Sequence, residues 1–164
     1  MIKEEYISTN ANISDCGQYR YCLSRVWDNT KPSVAFIMLN PSTADGQKDD
    51  ATIRRCVGFA KSWGYGSLYV VNLFAFRSKE PTDLLKTMDP IGKENEDWLK
   101  QIQSLVHLTV CAWGNGKIVD KIFKNNEEYR PLQHFKNLNY IDLSKDGTPK
   151  HPLYLSKFLL PKKY

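Results

Sequence analysis

Unbroken apolar runs mark this chain's interior more clearly than alternation does. Ser33–Leu39 is apolar along almost its whole length and stops at Asn40-Pro41. A run of that length fits a strand buried on both faces. Ser67–Leu73 and Val106–Trp113 have the same character, and Leu138–Leu143 suggests a further strand. Tyr19–Val26 alternates and predicts an earlier one. Between these runs the spacing turns helical. Asp50–Trp63 carries Ile53, Val57, Phe59 and Ala60 at helical intervals, with Asp50 as its cap and Gly64 and Gly66 as its stop. Pro81–Leu85 predicts a short helix with proline near its start. Gly92–Ser104 predicts a helix around Trp98, Leu99 and Ile102, and Lys117–Phe123 another. His151–Leu160 reads as an apolar tail docked on the body.

Buried strands alternating with helices predict an α/β fold. The expected form is a three-layer α/β/α sandwich, with a central and mainly parallel sheet of about four strands, in one domain spanning residues 1–164. In such sheets ligands bind beyond the carboxyl ends of the strands. That geometry directs attention to Asn40–Thr43, Asn72–Arg77 and Trp113–Asn115.

Each strand end carries chemistry with a plainer alternative. Pro41 bends the chain away and leaves Asn40 at the strand tip, where it can orient a water. Ser42 and Thr43 either bind an anion or cap a turn. Asn72 interrupts an apolar run and is costly unless paired; it either reads the edge of a base or ties two loops together. Phe74 and Phe76 either stack on that base or belong to the core. Trp113 is a pocket wall or a core residue, beside Gly114 and Gly116, which permit close approach. Farther along, Pro149 and Pro152 stiffen the loop that carries His151, and Leu153 and Tyr154 beside it suggest a wedge or a lid. Asp45, Asp49 and Asp50 cluster before Arg54 and Arg55. Capping and solvation are the expectation for the aspartates, with a magnesium site as the alternative, and Arg54 and Arg55 either touch phosphate or pair with these aspartates.

Composition narrows the classes. The formal net charge of +5 permits a polyanionic partner without demanding one. No apolar run approaches the roughly 18 residues of a spanning helix, so no membrane association is expected. Met1–Glu5 lacks the pattern of a secretory signal, which makes a cytoplasmic location the expectation. Cys16, Cys22, Cys56 and Cys111 have neither disulfide-framework nor zinc-ribbon spacing and read as reduced, mostly buried thiols. His107 and Cys111 share a strand face and read as packing. Walker A, G-x-G-x-x-G, H-E-x-x-H and G-x-S-x-G motifs are all missing from the chain.

Taken in order, the motifs closely resemble a bacterial and phage family catalogued as domain of unknown function 1643. They are Arg20–Trp27, Met38–Asp45, Asp50–Cys56, Asn72–Ala75, Ala112–Gly114 and His151–Leu155. More distantly, their order is similar to that of the uracil-DNA glycosylase superfamily. There a G-x-[ND]-P turn follows the first core strand, and Leu39-Asn40-Pro41-Ser42 stands in that place, with leucine for the glycine. An H-P-S type loop comes later, and His151-Pro152-Leu153 is similar, with leucine for the serine.

That resemblance implies a DNA glycosylase which flips a damaged, mismatched or modified base, expected to be a pyrimidine, and hydrolyses its N-glycosidic bond. It implies Asn40 and His151 as catalytic residues, Asn40 positioning the water and His151 stabilising the leaving base. Asn72, Phe74, Phe76 and Trp113 would hold the base. Ser42, Thr43, Arg54, Arg77, Lys150, Leu153 and Tyr154 would contact DNA, either double-stranded with the base flipped or single-stranded. No metal or cofactor is required, and a monomer is expected. The alternatives are a hydrolase or transferase of free nucleosides or nucleotides, and a non-catalytic nucleic-acid binder.

Overall fold

The computed structural model describes residues 5–164. Met1–Glu4, most of the stretch read above as lacking a secretory signal, lies outside them. Among the described residues seven strands form one mixed sheet: β1 (Ser8–Ile13), β2 (Arg20–Val26), β3 (Ser33–Met38), β4 (Ser67–Asn72), β5 (Leu108–Cys111), β6 (Leu138–Tyr140) and β7 (Lys162–Lys163). Their spatial order is β1-β2-β4-β3-β5-β6-β7. The helices are α1 (Ala51–Ser62), α2 (Asn95–Leu105) and α3 (Gly116–Asn125).

The α/β class is as expected, but the sheet of about four mainly parallel strands is corrected to a larger, mixed one. β3 pairs in parallel with β4 and β5, and β5 with β6. The pairs β1–β2, β2–β4 and β6–β7 are antiparallel. The two strands left out of the sequence reading lie at the edges. β1 is rich in asparagine and half-exposed, and β7 is two exposed lysines. An edge strand has one side free of partners and little apolar surface to bury, so it leaves no apolar run. β5 and β6 are also shorter than their apolar runs, because the chain leaves the sheet to build loops.

Every residue of β3 is buried. Val34, Phe36 and Met38 face one core with Ile53, Cys56, Val57, Phe59 and Ala60 of α1. Ala35 and Ile37 face the other with Leu99 and Ile102 of α2 and Val119 and Ile122 of α3. Each fully buried large side chain here contributes about 1.5–3 kcal/mol. The sheet therefore carries helices on both faces.

Helix α1 starts where Asp50 accepts a hydrogen bond from the Ile53 N–H (2.9 Å). Just ahead of it the fully buried Arg25 donates from Nε to Asp49 (2.8 Å), from Nη1 to the carbonyls of Ser24 and Asn10, and from Nη2 to that of Asp45. Asp45 accepts from the N–H groups of Gln47 and Lys48. The three aspartates are thus spent on a turn, a buried ion pair and a cap. Among the described residues no cluster of His, Cys, Asp and Glu has the makings of a metal site.

The cysteines are all free; Cys22, Cys56 and Cys111 are buried and Cys16 is exposed. Burial pushes the thiols of Cys22 and Cys111 up to about 12. His107 precedes β5, and its Nδ1 accepts from the Ser33 N–H (3.1 Å). The tail docks only in part. Leu155 and Leu159 pack on the α1 core, whereas Phe158 and Leu160 are exposed. No helix among the described residues is long and apolar enough to cross a membrane.

Candidate functional site

The carboxyl ends of β3 and β4, the start of α1 and the loop after Lys150 enclose a cavity of about 480 Å³. That is within the usual range for a small-molecule site. The structure brings seven of the residues singled out from sequence to it: Asn40, Ser42, Asn72, Trp113, His151, Leu153 and Tyr154.

Asn40 sits one residue past Leu39, where β3 gives way to the Pro41 bend. Its Nδ2 donates toward the carbonyls of Pro41 (3.2 Å), Phe76 (3.3 Å) and Ser78 (3.0 Å). The Ser78 N–H returns a bond to the Pro41 carbonyl (2.9 Å). These ties fix the amide's orientation and leave Oδ1 without a partner among the described residues. The site therefore offers an oriented acceptor, the group needed to hold a water by its hydrogen.

Asn72 ends β4, directly opposite Met38 of β3. It is fully buried, and neither Nδ2 nor Oδ1 has a hydrogen-bond partner. Its backbone is held from the opposite face. Asn95 Nδ2 donates to the carbonyls of Asn72 (2.9 Å) and Leu73 (3.2 Å), and the Tyr129 hydroxyl also donates to Leu73. An asparagine that merely tied loops together would use its side chain. This one keeps a donor and an acceptor unspent beside a cavity.

His151 is half-buried. Its Nδ1 accepts from the Leu153 N–H (3.2 Å), capping the short 3-10 turn Pro152–Tyr154. The backbone donor requires a bare Nδ1, so the neutral ring carries its proton on Nε2. Burial holds the imidazole below its usual range, with Asp50 opposing weakly. The ring is thus a neutral donor near neutral pH.

Two contacts place this loop. The Gly114 N–H donates to the Pro149 carbonyl (2.9 Å). A Cβ on Gly116 would collide with the Thr148 hydroxyl, so glycine is what lets the loop lie against the start of α3. From the other side, Arg55 of α1 donates to the carbonyls of Pro152 (3.4 Å) and Leu155. Leu153 is half-buried and Tyr154 is 91% exposed at the rim. Trp113 is nearly buried and supplies an aromatic wall.

A shallower cleft of about 440 Å³ adjoins the cavity and shares Ser42, Ser78 and Lys79 with it. Thr43, Phe76 and Arg77 line this cleft. Arg77 Nη1 donates to the Gly17 carbonyl (3.1 Å), which holds one end of its guanidinium.

Three expected residues are not brought to either cavity. Phe74 is fully buried in the opposite core, edge-on to Phe123 at 5.7 Å between ring centres, so it does not stack on a ligand in the cavity. Arg54 is exposed on the outer side of α1, donates to the Asp49 carbonyl (3.0 Å) and lines a separate hollow with Phe158. Lys150 is paired with Asp142 (2.8 Å).

The sequence reading missed Arg20, Ser78 and Lys79 as lining residues, took Asp50 as a cap, and pointed to Asn115 only as part of the Trp113–Asn115 strand end. Asn115 sits in the left-handed region at φ 49° and opens α3 without a side-chain cap bond. Arg20 is 2% exposed; Nη1 donates to the Ala44 carbonyl (2.9 Å) and Nε has no partner.

No curated protein and no solved structure matches this chain. One family does. Residues 20–153 match the family described as protein of unknown function (DUF1643), a span that runs from Arg20 to Leu153 and takes in nearly the whole cavity. The chain belongs to that family.

Proposed function

We propose that this protein is a DNA glycosylase that excises a non-standard base, damaged, mismatched or modified and by preference a pyrimidine, leaving an abasic site. The observation that carries the reading is Asn72, a fully buried amide with both polar atoms unspent at the cavity wall. Pyrimidines present a donor and an acceptor side by side, the complement of a carboxamide.

The motif order similar to the uracil-DNA glycosylase superfamily supports the same reading, since its Asn-Pro turn and His-Pro loop meet at one cavity. In the reaction Asn40 Oδ1 holds a water by one hydrogen beneath the sugar. Bond breaking to an oxocarbenium-like sugar leaves negative charge on the base. His151 Nε2–H donates to that base as charge develops, an oriented electrostatic contribution; the held water then adds to C1′ and its released proton neutralises the departed base anion. Trp113 takes the stacking role that Phe74 cannot. Leu153 and Tyr154 at the rim fill the vacated stack. The adjoining cleft with Thr43, Arg77 and Lys79 carries the flanking backbone.

The test is incubation with single- and double-stranded DNAs carrying uracil, mismatches and hypermodified pyrimidines, read by mass spectrometry for free base and abasic sites. Base release is expected, falling about 100-fold or more in Asn40→Ala and His151→Ala. Release unchanged in both variants overturns the assignment. No release from any DNA also overturns it, and turnover of free nucleosides would then assign the nucleoside hydrolase or transferase alternative.

A further inference from the structure

β2 contains a bulge with a chemical consequence. Asn12 of β1 pairs with Cys22, but the next residue, Ile13, pairs with Arg20, so Tyr21 has no residue opposite it. An extra residue inverts the alternation of side chains. Cys22 belongs to the core under α2 and α3. Without the bulge Arg20 would share that face. With it, Arg20 reaches the α1 side, where it bonds the Ala44 carbonyl and lines the cavity beside Asn72, Met38 and Ile53.

There Arg20 is 2% exposed, its Nε is without a partner, and Nη2 makes no hydrogen bond with a described residue. A guanidinium's Nε and Nη2 hydrogens are parallel and spaced to meet two oxygens on one centre. Nη1 is the group spent on the protein, so the edge left over is the bidentate one. Asp50 also lines the cavity, but its carboxylate accepts from the Ile53 N–H and makes no hydrogen bond to Arg20. Burial lowers the guanidinium to about 10, so it stays charged at neutral pH. A buried cation without a hydrogen-bonded counter-charge is costly to the fold.

We propose that Arg20 is the cavity's oxyanion site, and that its Nε–Nη2 edge grips a carboxylate or phosphate group of the ligand. Two sources carry that chemistry: a phosphate of the nucleotide, or an acidic substituent on its base. The proposal does not rest on glycosidic cleavage, because it concerns what binds and not what breaks.

Isothermal titration with inorganic phosphate, thymidine 5′-monophosphate, 5-carboxy-2′-deoxycytidine and neutral thymidine separates the sources. At least one charged probe is expected to bind roughly tenfold or more tighter than thymidine. Arg20→Lys keeps the charge and loses the fork. It is expected to remove that advantage, so that charged and neutral probes bind with about equal affinity. Should the variant fail to fold, the wild-type Arg20 Nε–H resonance decides, because a bidentate oxyanion shifts it downfield at saturation. Charged probes that bind no tighter than thymidine, equal binding by the lysine variant, or an Nε–H resonance that does not move would each overturn the proposal. Binding by either charged class alone upholds it and names the source, and binding by both upholds it as a general oxyanion site. A failed base-release assay leaves this outcome untouched.

Discussion

A buried amide with no protein partner lowers stability, because water's hydrogen bonds are lost and nothing replaces them. At Asn72 that cost is of order 1–3 kcal/mol. Asn72→Leu keeps the approximate volume and removes the unpaired groups. It is expected to raise the unfolding free energy by about 1 kcal/mol in a urea titration while abolishing ligand binding. A variant that is both less stable and still active would mean that Asn72 has a purely structural role. This logic also explains which residues were legible beforehand. Asn40 and Asn72 stood out because they interrupt apolar runs at strand ends, and His151 because two nearby prolines stiffen its loop. Phe74 and Phe76 looked equivalent in the sequence, since only the packing against Phe123 shows that Phe74 belongs to the far core. Arg20 was hidden for the opposite reason: the bulge at Tyr21 reverses the parity by which a strand residue's face is read.

Among the elements, the loop from Gly147 to Leu155 depends on contacts with two helices. Gly116→Ala at the start of α3 drives a methyl group into Thr148, at an expected cost of about 1–3 kcal/mol. Thr148→Ala in the same chain should recover a good part of that loss, a coupling that a double-mutant cycle measures. On the α1 side, Arg55→Met removes both carbonyl contacts together with the guanidinium that lies over the Phe59 ring. Faster amide hydrogen exchange at Leu153–Leu155, with α1 itself unchanged, is the expected result. His151 adds a pH dependence. Its imidazole is held below the ordinary value, so above about pH 6.5 both folded and unfolded chains carry it neutral and it has no effect. Below that, the unfolded chain takes up the proton first, and stability falls as pH falls. Thermal midpoints followed from about pH 8 to pH 5 should therefore drop more steeply in the wild type than in His151→Asn. The sheet was legible where strands are buried on both faces and illegible at β1 and β7, where exposure removes the apolar signal.

For the molecule as a whole, the cavity draws on β2, β3, β4, α1 and the loop that follows Lys150, elements distributed along most of the chain. A site assembled this way has no local folding unit behind it. Ligand binding and the circular dichroism of the helices should vanish at one denaturant midpoint. Binding lost well before the helices would show that the loop carrying His151 opens on its own. The alternation of buried runs with helices made the layered α/β class readable from the start, whereas the antiparallel additions depend on pairings that no single stretch encodes. The tether from Arg55 to the Leu155 carbonyl closes a span of 100 residues. During synthesis, α1 leaves the ribosome long before the segment that completes the pocket. At about 5–20 residues per second, roughly 5–20 seconds separate the two ends of that tether, and until the far end emerges the pocket stays open on one side. A ligand that needs the closed pocket therefore finds no competent site until that segment has emerged.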